Sequence, residues 1–170
     1  MRRLLIAIVV AVATVACSDD TPGRVAGEPG VTSAGTLSVF DLLKGDCLAD
    51  QEVEGLLVEV ESLEVVPCSD PHRLEVFAEF QVETDNGLYP GEGEVIAQAD
   101  AGCLEEFSKY TGVEYFTQSD LHFTYLFPTL DSWTGPKEDK TVVCVVWSLS
   151  SVVGSLCQTD CGPPLADNNE

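Results

Sequence analysis

Between residues 73 and 82 apolar and polar side chains alternate. In an extended strand this places Leu74, Val76, Ala78 and Phe80 on one side and Arg73, Glu75, Phe77 and Glu79 on the other. Residues 121–127, Leu-His-Phe-Thr-Tyr-Leu-Phe, form another strand closed by Pro128, with His122 on its solvent side. Residues 141–149 are nearly continuously apolar, which suits a central strand covered on both faces. Upstream, β-branched residues interleaved with glutamates predict strands around 58–60 and over 63–66, and Pro67 ends the second. Only residues 92–110 switch period: Val95, Ile96, Ala99, Cys103, Leu104 and Phe107 recur at three- and four-residue spacing as one helical stripe. Glu92 and Glu94 suit the positive end of that helix, Lys109 its last turn and Gly112 its stop. Turns are expected at Asp85-Asn86-Gly87 and Pro90-Gly91, and a loop at 131–139 around Trp133, Gly135 and Pro136. Together the elements predict an α+β domain, one antiparallel sheet with one main helix packed on it.

The N-terminus stands outside that fold. Arg2 and Arg3 precede an apolar run over 4–16, which as a helix rises about 20 Å against a hydrocarbon core of about 30 Å. It therefore reads as a signal peptide and not as a membrane span. The run ends Ala13-Thr14-Val15-Ala16-Cys17, which resembles the lipobox of bacterial lipoproteins and makes Cys17 the expected lipidated residue. Residues 17–36 hold few large apolar side chains and read as a flexible tether from that cysteine. The domain then runs over 37–157 and a polar tail over 158–170.

The chain carries a net charge of -21, and without residues 1–16 six basic residues face twenty-nine acidic ones. That balance repels nucleic acid and anionic headgroups, so no nucleic-acid partner is expected, and membrane binding falls to the lipid. Six cysteines remain beyond Cys17: Cys47, Cys68, Cys103, Cys144, Cys157 and Cys161. An even number in an exported chain predicts three disulfides, although the count leaves the pairing open. Cys103 lies on the helix stripe, which puts its partner in the sheet beneath.

Several motifs then fall into order: Gly45-Asp46-Cys47; Val66-Pro67-Cys68-Ser69-Asp70-Pro71-His72 with Glu75-Val76; and Tyr89-Pro90-Gly91. Cys103, Pro128, Trp133, Gly135, Asp139-Lys140 before Cys144, and Gly154-Ser155-Leu156 follow. This series, over 43–156, resembles the septum-formation domain family of actinobacterial exported and membrane-anchored proteins. Two features depart from the family pattern. Pro136-Lys137-Glu138 is inserted and Lys140 stands in place of an arginine, so no bidentate carboxylate or phosphate clamp is expected there. Cys157 and Cys161 lie beyond the resembling stretch. The resemblance, together with the layout, implies the pairs Cys47–Cys68 and Cys103–Cys144, leaving Cys157–Cys161. It implies a cell-envelope location linked to division and brings no catalytic activity.

The residues themselves offer one stretch of candidate chemistry. Asp70, His72 and Glu75 are candidate binding residues around the turn that opens the alternating strand, and Trp133 is a candidate recognition aromatic. The plainer readings are a capped turn with a hydrogen-bonded histidine, and a tryptophan packed on the sheet edge. Cys68 and His72 have metal-ligand spacing but no Cys-x-x-Cys partner, so no metal is expected; an oxidised Cys68 is also no nucleophile. No serine-nucleophile motif appears, and the acidic runs lack calcium-loop spacing. The sequence thus predicts a lipid-anchored, non-catalytic binding or scaffold domain on the outer face of the cytoplasmic membrane. It needs no cofactor and has an envelope protein or cell-wall partner. The alternative is a small-ligand or metal sensor using the Asp70-Pro71-His72 turn.

Overall fold

The computed structural model describes residues 21–50, 60–117, 120–159 and 161. In chain order the elements are β1 (Gly35–Ser38), a 3-10 turn (Val39–Asp41), β2 (Cys47–Leu48), β3 (Ser62–Val66) and β4 (His72–Gln81). Helix α1 (Glu92–Thr111), β5 (Leu121–Leu126), α2 (Leu130–Thr134) and β6 (Thr141–Val152) follow. The strands form one antiparallel sheet in the order β1-β3-β2-β4-β6-β5. The expected α+β architecture is present. The signal peptide, Cys17 and residues 58–59 of the first short strand lie outside the described residues.

β6 is the covered strand its composition demands: Val142, Cys144 and Val146 pack beneath α1, while Val143 and Val145 join a second cluster on the other face. The buried edge of α1 is Val95, Ala99, Cys103, Phe107 and Tyr110, narrower than the expected stripe because Ile96 and Leu104 are only half-buried. Gly112 ends the helix in the left-handed conformation (φ 69°), its N–H donating to the Ser108 carbonyl at 3.0 Å.

β4 departs from simple alternation. Val76 pairs with Val145 and Ala78 with Cys144, its direct neighbour, so Phe77 is an extra residue in the ladder. The bulge reverses the facing of everything after it. Leu74 and Val76 lie in the cluster away from α1, but Phe77, Ala78 and Phe80 all pack on the α1 side. The four residues expected on one side are therefore split between two faces. Phe80 reaches α1 because Gly102 opposes it: a Cβ there would sit 2.4 Å from the ring.

Two segments expected to be irregular carry structure. Trp133 sits in α2, five residues long, whose start is tied by reciprocal Thr129–Ser132 hydrogen bonds of 3.3 and 3.0 Å. Within the stretch expected as a tether, residues 22–33 lie against the domain. Thr32 N–H donates to the Gly23 carbonyl at 2.8 Å, Val31 is buried, and Arg24 grips Asp46. Buried Pro22, Gly30 and Val31 and the Arg24–Asp46 ion pair contribute to this docking, and a composition average hides them. At the other end, Gln158 N–H donates to the Tyr110 carbonyl at 2.8 Å, so the tail begins tied to α1.

Candidate functional site

The turn before β4 is held at both ends. Cys68 is bonded to Cys47, Asp70 N–H donates to the Pro67 carbonyl at 2.8 Å, and Gly154 N–H donates to the Cys68 carbonyl at 2.6 Å. Pro71 then directs the chain into the strand with His72 fully buried and Asp70 exposed. His72 Nδ1 lies 2.8 Å from the Asp70 carbonyl oxygen, so Nδ1 is the donor and the ring turns to the backbone, not to the Asp70 carboxylate. Its buried Nε2 has no hydrogen-bond partner among the described residues.

Glu75 is elsewhere. Its Oε1 accepts from the Tyr110 hydroxyl at 2.6 Å and the Ser155 hydroxyl at 2.5 Å, and its Oε2 accepts from Leu156 N–H at 2.6 Å. The carboxylate is fully buried and both oxygens are engaged. Burial first, then the negative Glu75, push the Tyr110 hydroxyl well above its ordinary pKa. The candidate trio is thus not one site: Asp70 faces solvent, His72 faces the backbone, and Glu75 anchors the 155–157 segment under α1.

Trp133 is a packed residue. It meets Tyr89 edge-on at 5.6 Å, donates from Nε1 to the Gly87 carbonyl at 3.2 Å, and carries the Lys140 ammonium 5.4 Å from its centroid. Lys140 thus serves as a cation over an aromatic face, a role that needs no bidentate fork. His122 stacks on Trp147 at 4.6 Å. The three bridges are Cys47–Cys68, Cys103–Cys144 and Cys157–Cys161, and the second joins α1 to β6 as the buried stripe requires.

A buried charged cluster escaped the sequence reading. Asp46, whose side chain is fully buried, receives both terminal nitrogens of Arg24 at 2.6 Å and Leu43 N–H at 2.8 Å. Nearby, burial raises the Glu79 carboxyl above its ordinary pKa, Lys44 N–H opposes that shift, and Asp46 adds to it. Nothing in the spacing of Arg24, Asp46 and Glu79 announces this cluster, because a chain segment expected as a tether supplies the cation.

A groove of about 960 Å³ lies at the end of the sheet remote from His72. Val39, Phe40 and Leu42 form one wall; Leu126, Phe127 and Leu130 form the other; Val143 of β6 is also in the lining. Glu61, Glu92 and Asp139 bring acidic groups to it, and Lys137 lies with its ammonium 5.6 Å from the Phe40 ring centroid. Tyr125, also in the lining, donates to Asp100 at 2.8 Å; burial and that carboxylate push its hydroxyl up to about 12. Phe40 and Leu130 remain 43% and 53% exposed, large apolar groups left over after the core is built. The available sequence signal was the apolar excess of residues 37–43, more than one buried face needs. The groove has apolar walls and charged groups but, among its described lining residues, no histidine or cysteine. A concave surface with apolar walls and a few placed polar groups can take a ligand or a chain segment.

No curated protein and no solved structure matches the chain. A family model described as septum formation matches residues 32–162, extending the resemblance at both ends so that it takes in Val31's neighbour Thr32 and the Cys157–Cys161 pair. That match covers well over half of the sequence, and the chain belongs to the septum-formation family.

Proposed function

We propose that this protein is a lipid-anchored, extracytoplasmic, non-catalytic module for septum formation that holds a polypeptide partner of the cell envelope in the groove. The observation that carries the reading is the groove itself. Its walls of Val39, Phe40, Leu126 and Leu130 take apolar side chains, and Glu61, Glu92 and Asp139 favour lysine or arginine beside them. The occupant is therefore an apolar segment of an envelope protein with basic flanks, and the acidic surface of the whole chain steers it inward. At about 960 Å³ the groove sits at the upper end of the roughly 300–1,000 Å³ typical of binding sites.

Anchoring rests on the Ala16-Cys17 junction in the sequence. Two acyl chains hold a protein at a membrane where one holds it only marginally. The domain then works on the outer face of the cytoplasmic membrane, and its three disulfides belong to that oxidising side. The alternative, a sensor at the Asp70-Pro71-His72 turn, has no open surface in the disulfide-bonded protein because His72 is fully buried.

The test compares co-purification of cell-envelope proteins with the intact chain, Leu126→Glu and Cys17→Ser. A partner retained by the intact chain and lost with folded Leu126→Glu supports the groove; equal retention contradicts it. Cys17→Ser is expected to leave the membrane fraction, and continued membrane retention contradicts the anchor.

A further inference from the structure

We infer that the polypeptide in the groove binds as an extended strand added to the outer edge of β5, with one side of that strand in the groove; this rests on the groove being a polypeptide site. β5 is a terminal strand of the sheet, with β6 on its inner side and, among the described residues, no strand beyond it.

One hydrogen bond fixes which way its backbone groups turn. Leu149 N–H donates to the Asp120 carbonyl at 3.1 Å, and Leu121 is in register with Ser148. Hydrogen-bonded and non-bonded pairs alternate along an antiparallel ladder. His122, Thr124 and Leu126 therefore turn their N–H and C=O to β6, and Phe123 and Tyr125 turn theirs outward. Natural sheets guard such an edge with charged side chains, proline, a bulge or a very short strand. β5 uses none of these: its six residues are Leu-His-Phe-Thr-Tyr-Leu, all half-buried, and its register to β6 is unbroken. β1, the other terminal strand, is four residues long and begins with a glycine.

The edge runs into the groove, where Tyr125, Leu126 and Phe127 lie in the lining with Val39 and Phe40. Leu126 lies in the cluster away from α1, whereas Phe123, Tyr125 and Phe127 pack on the α1 side. Paired residues of neighbouring strands share a face, so the side chains of the added strand alternate as those of β5 do. Those beside Leu126 enter on the apolar wall. Those beside Tyr125 come to the side where Glu92, exposed at the start of α1, favours a lysine or arginine. Main-chain hydrogen bonds then supply the affinity and the alternating side chains the selectivity. A second copy of this chain does not fit, because its own net charge of -21 repels.

The test follows backbone amide exchange in the disulfide-bonded mature chain by NMR, with a synthetic peptide of alternating valine and threonine between paired lysines as the probe. In the chain alone the Phe123 and Tyr125 amides are expected to exchange at least about tenfold faster than those of Thr124 and Leu126. The peptide is expected to slow them at least about tenfold, and the same peptide with its central amides N-methylated to leave them unchanged. Equal protection by both peptides, or none by the first, overturns strand addition. Tyr125→Pro removes an outward N–H and spares the ladder to β6, so it is expected to lose the peptide. Retention by folded Tyr125→Pro overturns the inference; if that variant does not fold, the wild-type exchange decides. Leu126→Glu separates this inference from the groove itself. Binding that Leu126→Glu abolishes but N-methylation leaves unchanged keeps the groove and overturns the strand. Undiminished protection of Phe123 and Tyr125 in Leu126→Glu supports the strand and contradicts the groove.

Discussion

Tyr110 donates a 2.6 Å hydrogen bond to Glu75, and this fixes the last turn of α1 to the middle of β4. Tyr110→Phe removes one of three donors to a buried carboxylate and is expected to cost about 1–2 kcal/mol. Glu75→Ala strands the Tyr110 and Ser155 hydroxyls and Leu156 N–H together, and is expected to cost about 3 kcal/mol or more. Urea midpoints measure both, and equal losses would contradict the shared role of the carboxylate.

The same pair sets the alkaline limit. The fold holds Tyr110 in its neutral form, so the folded protein keeps a proton that the unfolded chain loses near pH 10. Its contribution is full below that pH and falls as pH rises above it. Stability of wild type is expected to drop more steeply above pH 10 than that of Tyr110→Phe, measured by thermal melts.

Glu79 acts in a lower window with the same sign. Its raised pKa means that the folded state keeps the carboxyl proton above 4.5, where the unfolded chain has released it. Stability from this group is present below pH 4.5 and is lost as pH rises through the folded value. Its Oε2 also has no hydrogen-bond partner among the described residues. Glu79→Gln is therefore expected to raise the urea midpoint at neutral pH and to change it little at pH 4.5. A drop at neutral pH would contradict this.

Arg24→Ala tests the docked N-terminal segment. It leaves the Asp46 carboxylate buried near Glu79 and still accepting from Leu43 N–H, without the Arg24 guanidinium. Because Arg24 is itself partly exposed, the expected loss is about 2 kcal/mol and not the larger cost of a wholly buried pair. A chain starting at residue 35 should lose at least as much, and undiminished stability would restore the picture of a free tether.

The bridges should differ in weight. Cys103–Cys144 spans a separation of 41 residues and Cys157–Cys161 only 4, which in the chain-entropy model gives roughly 3.9 and 2 kcal/mol. Cys103→Ser and Cys144→Ser are expected to lower the melting temperature far more than Cys157→Ser. Matching shifts would contradict the central position of the helix-to-sheet bridge.

What could be read from the chain followed from periodicity. α1 and β6 show their partners through spacing, because burying one helix face or both strand faces demands a repeating apolar pattern. The bulge at Phe77 could not be read: Leu74 to Phe80 alternates without a break, and the extra residue exists only relative to the register of β6. α2 is too short for a helical period to build up. The candidate trio is dispersed for a geometric reason. Asp70 is exposed in the turn before β4, while His72 and Glu75, three residues apart on a strand covered on both faces, reach separate buried surroundings. The groove is assembled from the 3-10 turn, β5, α2 and β6, far apart along the chain, and depends on tertiary closure.

The central claim is that the groove holds an envelope polypeptide, and site-specific photocrosslinking in intact cells tests it most directly. A photoreactive side chain at Phe40 or Leu130 should capture the same partner segment, apolar with basic flanks, and Leu126→Glu should abolish the capture. The same probe at Val153, 70% exposed and absent from the groove lining, should not capture it. Equal capture from Val153 and from the groove, or none from either groove position, would contradict the account.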